Sequence, residues 1–122
     1  MYATNYGTNP IAMQIHSAFM VDYCENVYVS GFELTVTGGF PLTNNAIQST
    51  TDSADFFTIV FTKDAVQLLY GSFFGEYGIL EHVHGMSRFD KKGILYQAVC
   101  TSGSAFPVDS GAYSTTNKAG GF

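Results

Sequence analysis

The chain has 122 residues, of which 46% are hydrophobic, 16% aromatic and only 12% charged. This length suits one small domain or part of a larger protein, and the low charge favours a surface that packs against other protein. The net charge of −5, with five scattered Lys and Arg, argues against nucleic-acid binding. No apolar run is long enough to span a bilayer, so membrane insertion is not expected.

The beginning of the chain matches a segment found later in it. Residues 1–9 (MYATNYGTN) align with residues 69–77 (LYGSFFGEY) at an offset of 68. Within these segments the offset pairs Tyr2/Tyr70, Thr4/Ser72, Tyr6/Phe74 and Gly7/Gly75. Beyond them it also relates His16/His84, Asp22/Asp90 and Tyr28/Tyr96. At an offset of 66, FPLTNNAIQSTT (40–51) then aligns with FPVDSGAYSTTN (106–117). These alignments predict an internal repeat.

Short apolar runs separated by turn-forming residues predict that each repeat is all β. The expected strands are 15–22, 26–32, 56–62 and 66–74 in the first unit, and 84–90 and 94–100 in the second. Asp22 and Asp90 begin the tight turns after the first strand of each unit, where an aspartate can close a hairpin. A helix over 64–74 is a less favoured alternative, because Val66, Leu69 and Phe73 also have helical spacing.

The third strand is apolar on both faces. Phe57, Ile59 and Phe61 project to one side, and Phe56 and Val60 project to the other. A strand of this kind needs cover on both faces. The pattern therefore predicts a four-stranded antiparallel blade stacked between similar sheets, as in a propeller or a stacked β array.

We therefore predict an all-β fold of propeller-like blades, one complete and partial ones at both ends, within a single β-repeat domain, 1–122. Residues 1–9 are expected to form the terminal strand of a preceding unit, 14–76 the complete repeat and 81–122 a partial second repeat. Partial sheets expose unpaired strand edges. The residues expected at these assembly edges are Tyr2, Thr4, Tyr6 and Phe122.

Several stretches together resemble the SBBP-type β-propeller repeat of bacterial surface proteins. They are DYCENVYVSG (22–31), FPLTNNAIQST (40–50), LLYGSFFG (68–75) and EHVHGMSRFDKKGILYQAVC (81–100). The last is similar to a variant found in very large Bacteroidota exoproteins associated with type IX secretion and gliding motility. The chain departs from the family pattern at Glu25, where Gly is usual, and after Cys100, where a second Cys is common. The resemblance implies a secreted or cell-surface, non-catalytic module used for adhesion or scaffolding.

The histidines are weak candidates for a metal site. His82 and His84 share a strand face and could chelate a metal ion. The equivalence of His16 and His84 in the repeat instead favours a hydrogen bond made once in each unit. We therefore predict no metal and no cofactor. Cys24 and Cys100 could form a disulfide or remain free thiols.

The carboxylates do not predict catalysis. Asp52 and Asp55 have a spacing found in calcium loops, but the Gly and Glu of such loops are missing, so turn capping is the preferred interpretation. Glu76 and Glu81 are expected to be exposed loop charges. No nucleophile elbow is present, so an enzyme is not expected.

The function expected from the sequence is that of an extracellular or cell-surface structural protein. Neighbouring copies would complete its open β edges by strand addition, giving a homo-oligomer or a filament. Two alternatives stay open, a propeller fragment of a large secreted adhesin and a glycan-binding surface module. The recurring aromatic residues could form a glycan platform, but inter-blade packing is the favoured interpretation. Residues 1–20 show no signal-peptide pattern.

Overall fold

The structure, a computed structural model, describes residues 14–34, 39–82, 88–90 and 94–116, and within them the chain is all β without a helix. The strands are β1 (Gln14–Val21), β2 (Val27–Glu33), β3 (Phe56–Phe61), β4 (Leu68–Phe74), β5 (Glu81–His82), β6 (Arg88–Phe89), β7 (Leu95–Tyr96) and β8 (Cys100–Thr101). The predicted all-β class and four-stranded antiparallel sheet are confirmed. The alternative helix over 64–74 is wrong, because β4 occupies most of that range.

Strands β1 to β4 form one antiparallel sheet in chain order. Their bounds differ from the predicted ones by no more than two residues, since alternation of apolar and polar residues marks strands well. The register places Met20 opposite Tyr28 and Val21 opposite Val27. It shifts between His16 and Ala18, where β1 has a bulge.

Both faces of β3 are covered, as its sequence predicts. All six residues of the strand are buried. On one face Phe57, Ile59 and Phe61 form the core with Phe40 and Phe73. The Phe40 ring lies 5.1 Å from that of Phe57 and 4.4 Å from that of Phe73, measured between centroids. Phe40 comes from the long connection between β2 and β3, so this connection covers part of its own sheet.

The same connection also runs along the outer edge of β4. Thr43 N donates to Gly71 O at 3.1 Å, and Phe73 N donates to Gln48 O at 3.0 Å. A Cβ atom at Gly71 would overlap the carbonyl oxygen of Pro41, so this close approach of the two backbones requires glycine. This edge of the sheet is therefore occupied by the chain's own backbone, which removes one site for strand addition.

The second unit repeats the β1–β2 hairpin. Strand β6 pairs with β7, with Arg88 opposite Tyr96, and these residues stand 68 positions after Met20 and Tyr28. Strand β5 pairs with β8 in a separate two-stranded sheet. Of these segments, β6 and β7 lie within the expected strands 84–90 and 94–100, β8 begins at the end of the second, and β5 lies before the first.

The second unit lies against the face of the sheet opposite to Phe40. The Phe106 ring meets the Phe74 ring edge-on, with centroids 5.1 Å apart. Leu95 and Val99 line a pocket there together with Phe56 and Phe74. Phe106 is the repeat equivalent of Phe40, so the two Phe-Pro motifs cover opposite faces of the same sheet.

Candidate functional site

Asp22 organises the turn between β1 and β2. Its Oδ1 accepts hydrogen bonds from Cys24 N and Asn26 N, both at 2.8 Å. Its Oδ2 accepts from Asn26 Nδ2 at 2.9 Å and from the Tyr28 hydroxyl at 3.2 Å. Burial acts to raise the pKa of this carboxyl, but the hydrogen bonds from Asn26, Tyr28 and Cys24 outweigh it and lower the pKa. Glu25 has a φ of 66°, a left-handed conformation that favours Gly.

Asp90 makes the equivalent turn in the second unit. Its Oδ1 accepts from Ile94 N at 3.0 Å, and its Oδ2 accepts from the Tyr96 hydroxyl at 3.3 Å. The backbone bond from Asp90 N to Ile94 O corresponds to the one from Asp22 N to Asn26 O. Both aspartates therefore use their carboxylates to hold a hairpin, which is a structural role.

A cluster of carboxylates lies where the first unit meets the second. We call it the acidic junction, and it comprises Asp52, Asp55, Glu76 and Glu81. A backbone hydrogen bond from Glu81 N to Ala54 O, at 2.8 Å, brings Glu81 close to Asp55. The expectation that Glu81 is an exposed loop charge is wrong, because its exposed fraction is 0%. The side chain is enclosed where β5 lies against residues 54 and 55, directly before β3.

Glu81 and Glu76 link the two units through hydrogen bonds. Oε1 of Glu81 accepts from Glu76 N at 3.2 Å and from the Thr101 hydroxyl at 3.0 Å. Oε2 of Glu76 accepts from Ala105 N at 2.8 Å. A Cβ atom at Gly103 would overlap the Glu76 carboxylate, so the second unit approaches closely here.

Asp52 and Asp55 complete the acidic junction from the side of the first unit. Asp55 is only 1% exposed, and its Oδ2 accepts from Asp52 N at 3.4 Å. Oδ2 of Asp52 accepts from Gly78 N. Asp52 therefore bonds to a turn 26 positions further along the chain, whereas the sequence predicts that it caps the turn of its own segment. The burial of Asp55 was not predicted, although its position directly before a strand with six buried residues is a signal for it.

Burial dominates the electrostatics of the acidic junction. It raises the pKa of Glu81 to about 7, with smaller contributions from the negative charges of Asp55 and Asp52. Hydrogen bonds from Glu76 N and Thr101 act in the opposite direction. Burial also raises the pKa of Asp55, against hydrogen bonds from Thr51 and Gln48. Two carboxyls here are thus costly to ionise.

The other predicted site residues are dispersed or outside the described residues. Cys24 is exposed and Cys100 half-buried, and both are free thiols. His16 meets Phe57 edge-on at 5.8 Å, and burial lowers its pKa. The remaining candidates lie outside the described residues or, for His82, have no described side chain, and these are Tyr2, Thr4, Tyr6, His82, His84 and Phe122.

Two searches of the described residues bear on broader classes of function. They contain no group of three or more His, Cys, Asp or Glu side chains arranged to hold a metal ion. They also contain no helix long and apolar enough to cross a membrane. Comparisons of the chain with protein-family models, curated proteins and solved structures return no match. Function is therefore inferred from the geometry of the chain and from its motifs.

Proposed function

We propose that this chain is a non-catalytic, extracellular structural protein whose β units stack face to face and edge to edge with those of neighbouring copies. The observation that carries the proposal is the contact between its own two units. In that contact the Phe106 ring meets the Phe74 ring edge-on, and Leu95 and Val99 border a cavity of about 430 Å³ together with Phe56 and Phe74. Because the two units of one chain associate in this way, equivalent surfaces on two copies could associate in the same way.

The repeat indicates which surface a neighbouring copy would cover. Leu95 and Val99, which line the cavity beside the first sheet, correspond to Val27 and Gly31 in the first unit. The strands there place Phe19 opposite Val29 and Val21 opposite Val27, so these residues share that face. Phe19 is 68% exposed and Val21 is 51% exposed. The face that is covered in the second unit is therefore partly open in the first.

The second hairpin presents the surface that would meet the Phe19 face of a neighbouring copy. Tyr96 corresponds to Tyr28, on the face of the second hairpin that points away from the first sheet, and it is 55% exposed. A contact between this face and the Phe19 face of another copy joins unlike surfaces. Such heterologous contacts close into rings or continue as filaments.

An edge is also available for strand addition. In the first unit β2 pairs with both β1 and β3. In the second unit β7 and β8, the equivalents of β2, each pair with a single strand among the described residues. A strand from a neighbouring copy could take the place that β3 has in the first unit. The β4 edge is already occupied by residues 43–48, so the proposal assigns strand addition to the second hairpin.

The SBBP-like motifs support the extracellular or cell-surface location and a role in Bacteroidota surface assemblies. They support equally a second candidate, in which the chain is part of a large adhesin. Exposed tyrosines, of which Tyr77 borders the acidic junction, favour glycan binding as a further alternative. A glycan array with strong, specific hits would favour that alternative.

Replacing Phe19 tests the stacking surface. We expect Phe19→Glu to abolish or strongly reduce assembly, measured by light scattering of the purified chain at rising concentration, because it places a charge in an apolar contact. Tyr113→Glu is the matched control, since Tyr113 is fully exposed in the Phe-Pro loop of the second unit. Equal assembly of both variants and the unmodified chain would refute this surface. A folded, monomeric unmodified chain at high concentration would refute self-assembly itself.

A further inference from the structure

Two buried carboxylate oxygens in the acidic junction have no hydrogen-bond partner. They are Oδ1 of Asp55 and Oε2 of Glu81. Asp55 is 1% exposed and Glu81 0% exposed, while the second oxygen of each carboxylate accepts hydrogen bonds. Buried polar atoms in folded proteins are nearly always paired, and an unpaired buried charge is especially costly. Either a proton or a bound cation can offset the charge of these two oxygens.

Both oxygens face the same space. A Cβ atom at Gly75 would overlap Oδ1 of Asp55 and Oε2 of Glu81, so the two carboxylates converge beside the Gly75 Cα. Gly75 is held in place by a hydrogen bond from its N–H to Gln48 Oε1 at 2.9 Å. Because it has no side chain, it leaves room for both carboxylates.

Asp55 and Gly75 also border a cavity of about 260 Å³, whereas Glu81 lies outside its lining. The residues around it are Gln48, Thr50, Thr51, Asp52, Asp55, Gly75 and Tyr77. The third carboxylate, Asp52, also has a buried oxygen without a partner, Oδ1. Among the described residues, neither Asp55 nor Glu81 has a Lys or Arg within ion-pair distance.

We propose that the acidic junction is a binding site for a hard divalent cation, with Ca²⁺ the best-fitting ion and Asp55 and Glu81 as its charged ligands. Ca²⁺ binds carboxylate, amide, hydroxyl and water oxygens at about 2.3–2.6 Å and tolerates irregular geometry. Only two acidic side chains converge at this point, so neutral oxygens and water complete the coordination. This departs from the prediction made from the sequence, in which no metal is expected.

The low number of charged ligands sets the expected affinity. Calcium sites of extracellular modules bind with a Kd of about 10⁻⁴–10⁻³ M, and affinity rises with the number of charged ligands and the rigidity of the site. We expect this site to fall in that range. Mg²⁺ should bind less well, because it needs a compact octahedral arrangement and gives up its water reluctantly.

Binding here would fix the two units relative to each other. Asp55 precedes β3 in the first unit, whereas Glu81 belongs to β5 in the second. A cation held by both carboxylates links the units and relieves the repulsion between the two charges. The site does not depend on assembly, so it stands even if the proposed self-association fails.

Thermal unfolding of the full chain at pH 8 tests the site. In about 5 mM CaCl₂ we expect a Tm about 5 °C higher than in EDTA, and a smaller rise in MgCl₂. Asp55→Asn and Glu81→Gln should each lose the calcium-dependent rise. Glu25→Gln is the control, because Glu25 is an exposed carboxylate in the β1–β2 turn, at the other end of the sheet, and this variant should keep it.

A second measurement does not depend on variants that fold. Tb³⁺, a common substitute for Ca²⁺, should show luminescence on excitation of tyrosine, because Tyr77 borders the cavity. We expect added Ca²⁺ to quench this emission with a midpoint in the millimolar range. The proposal is overturned if Ca²⁺ changes neither the Tm nor the Tb³⁺ signal. If the Tm then also rises as the pH is lowered from 8 to 5, the two carboxyls share a proton instead of a cation.

Discussion

At the scale of single residues, an aspartate at the same position of each unit has the same structural role. Asp22 and Asp90 each accept hydrogen bonds from the backbone of a tight turn and from a tyrosine hydroxyl on the following strand. An aspartate carboxylate suits this position because it can bridge several donors at once. The recurrence of Asp and Tyr at an offset of 68 is therefore a recurrence of one hydrogen-bonded unit.

Removing the first of these carboxylates should destabilise the chain. We expect Asp22→Ala to lower the free energy of unfolding by about 1–2 kcal/mol at pH 7, measured by urea denaturation, because four hydrogen bonds to a charged group are lost. Asp90→Ala is the comparison and should also destabilise the chain, because Asp90 accepts the equivalent hydrogen bonds from Ile94 N and the Tyr96 hydroxyl in the second unit.

The pH dependence of that difference follows from the lowered pKa of Asp22. A carboxyl whose pKa is lower in the folded chain contributes stability above its unfolded pKa and loses it as the pH falls through the folded pKa. The gap between the unmodified chain and Asp22→Ala should therefore be full at pH 7 and shrink below about pH 4. A gap that is constant from pH 7 to pH 3 would contradict this role.

At the scale of elements, the connection between β2 and β3 covers part of one face of the sheet and pairs with its β4 edge. It places Phe40 on the core face and satisfies backbone groups of Gly71 and Phe73 at the edge of β4. Both functions depend on a close approach of two backbones, with Gly71 against Pro41. The β4 edge is thereby protected from pairing with other chains.

A substitution at Gly71 measures this approach. We expect Gly71→Ala to destabilise the chain by about 1–3 kcal/mol, because the added methyl group meets backbone that cannot turn aside as a flexible side chain does. Gly111→Ala is the matched control, since a Cβ atom there meets nothing within 4 Å. Its effect should stay within about 0.5 kcal/mol. Similar denaturation midpoints for the two variants would show that the connection is not packed against β4.

The strands of the first unit can be predicted from the sequence, whereas the path of this connection and the acidic junction cannot. Alternating apolar residues define a strand locally, and β3 is recognisable from its two apolar faces. The path of residues 39–52 depends on polar backbone contacts that leave no periodic pattern. Glu81 appears in an unremarkable loop sequence, and its burial results from packing between units that are distant in the chain. Such tertiary effects are not visible in a local pattern.

At the scale of the whole molecule, two equivalent motifs each cover part of one face of the same sheet. Phe40 lies on one face, and Phe106, its counterpart in the second unit, meets Phe74 on the other. The second hairpin then presents a further face and an edge, while the first unit presents Phe19 and Val21. We infer that copies of the chain continue this stacking, which accounts for the low charge of the sequence.

Electron microscopy of the unmodified protein, imaged at rising concentration without denaturant, tests this inference most directly. The account predicts rings or filaments in which subunits recur at a regular spacing, because the contact joins two unlike surfaces of each copy. Discrete particles of single-chain size at every concentration, from protein that is folded by circular dichroism, would contradict it.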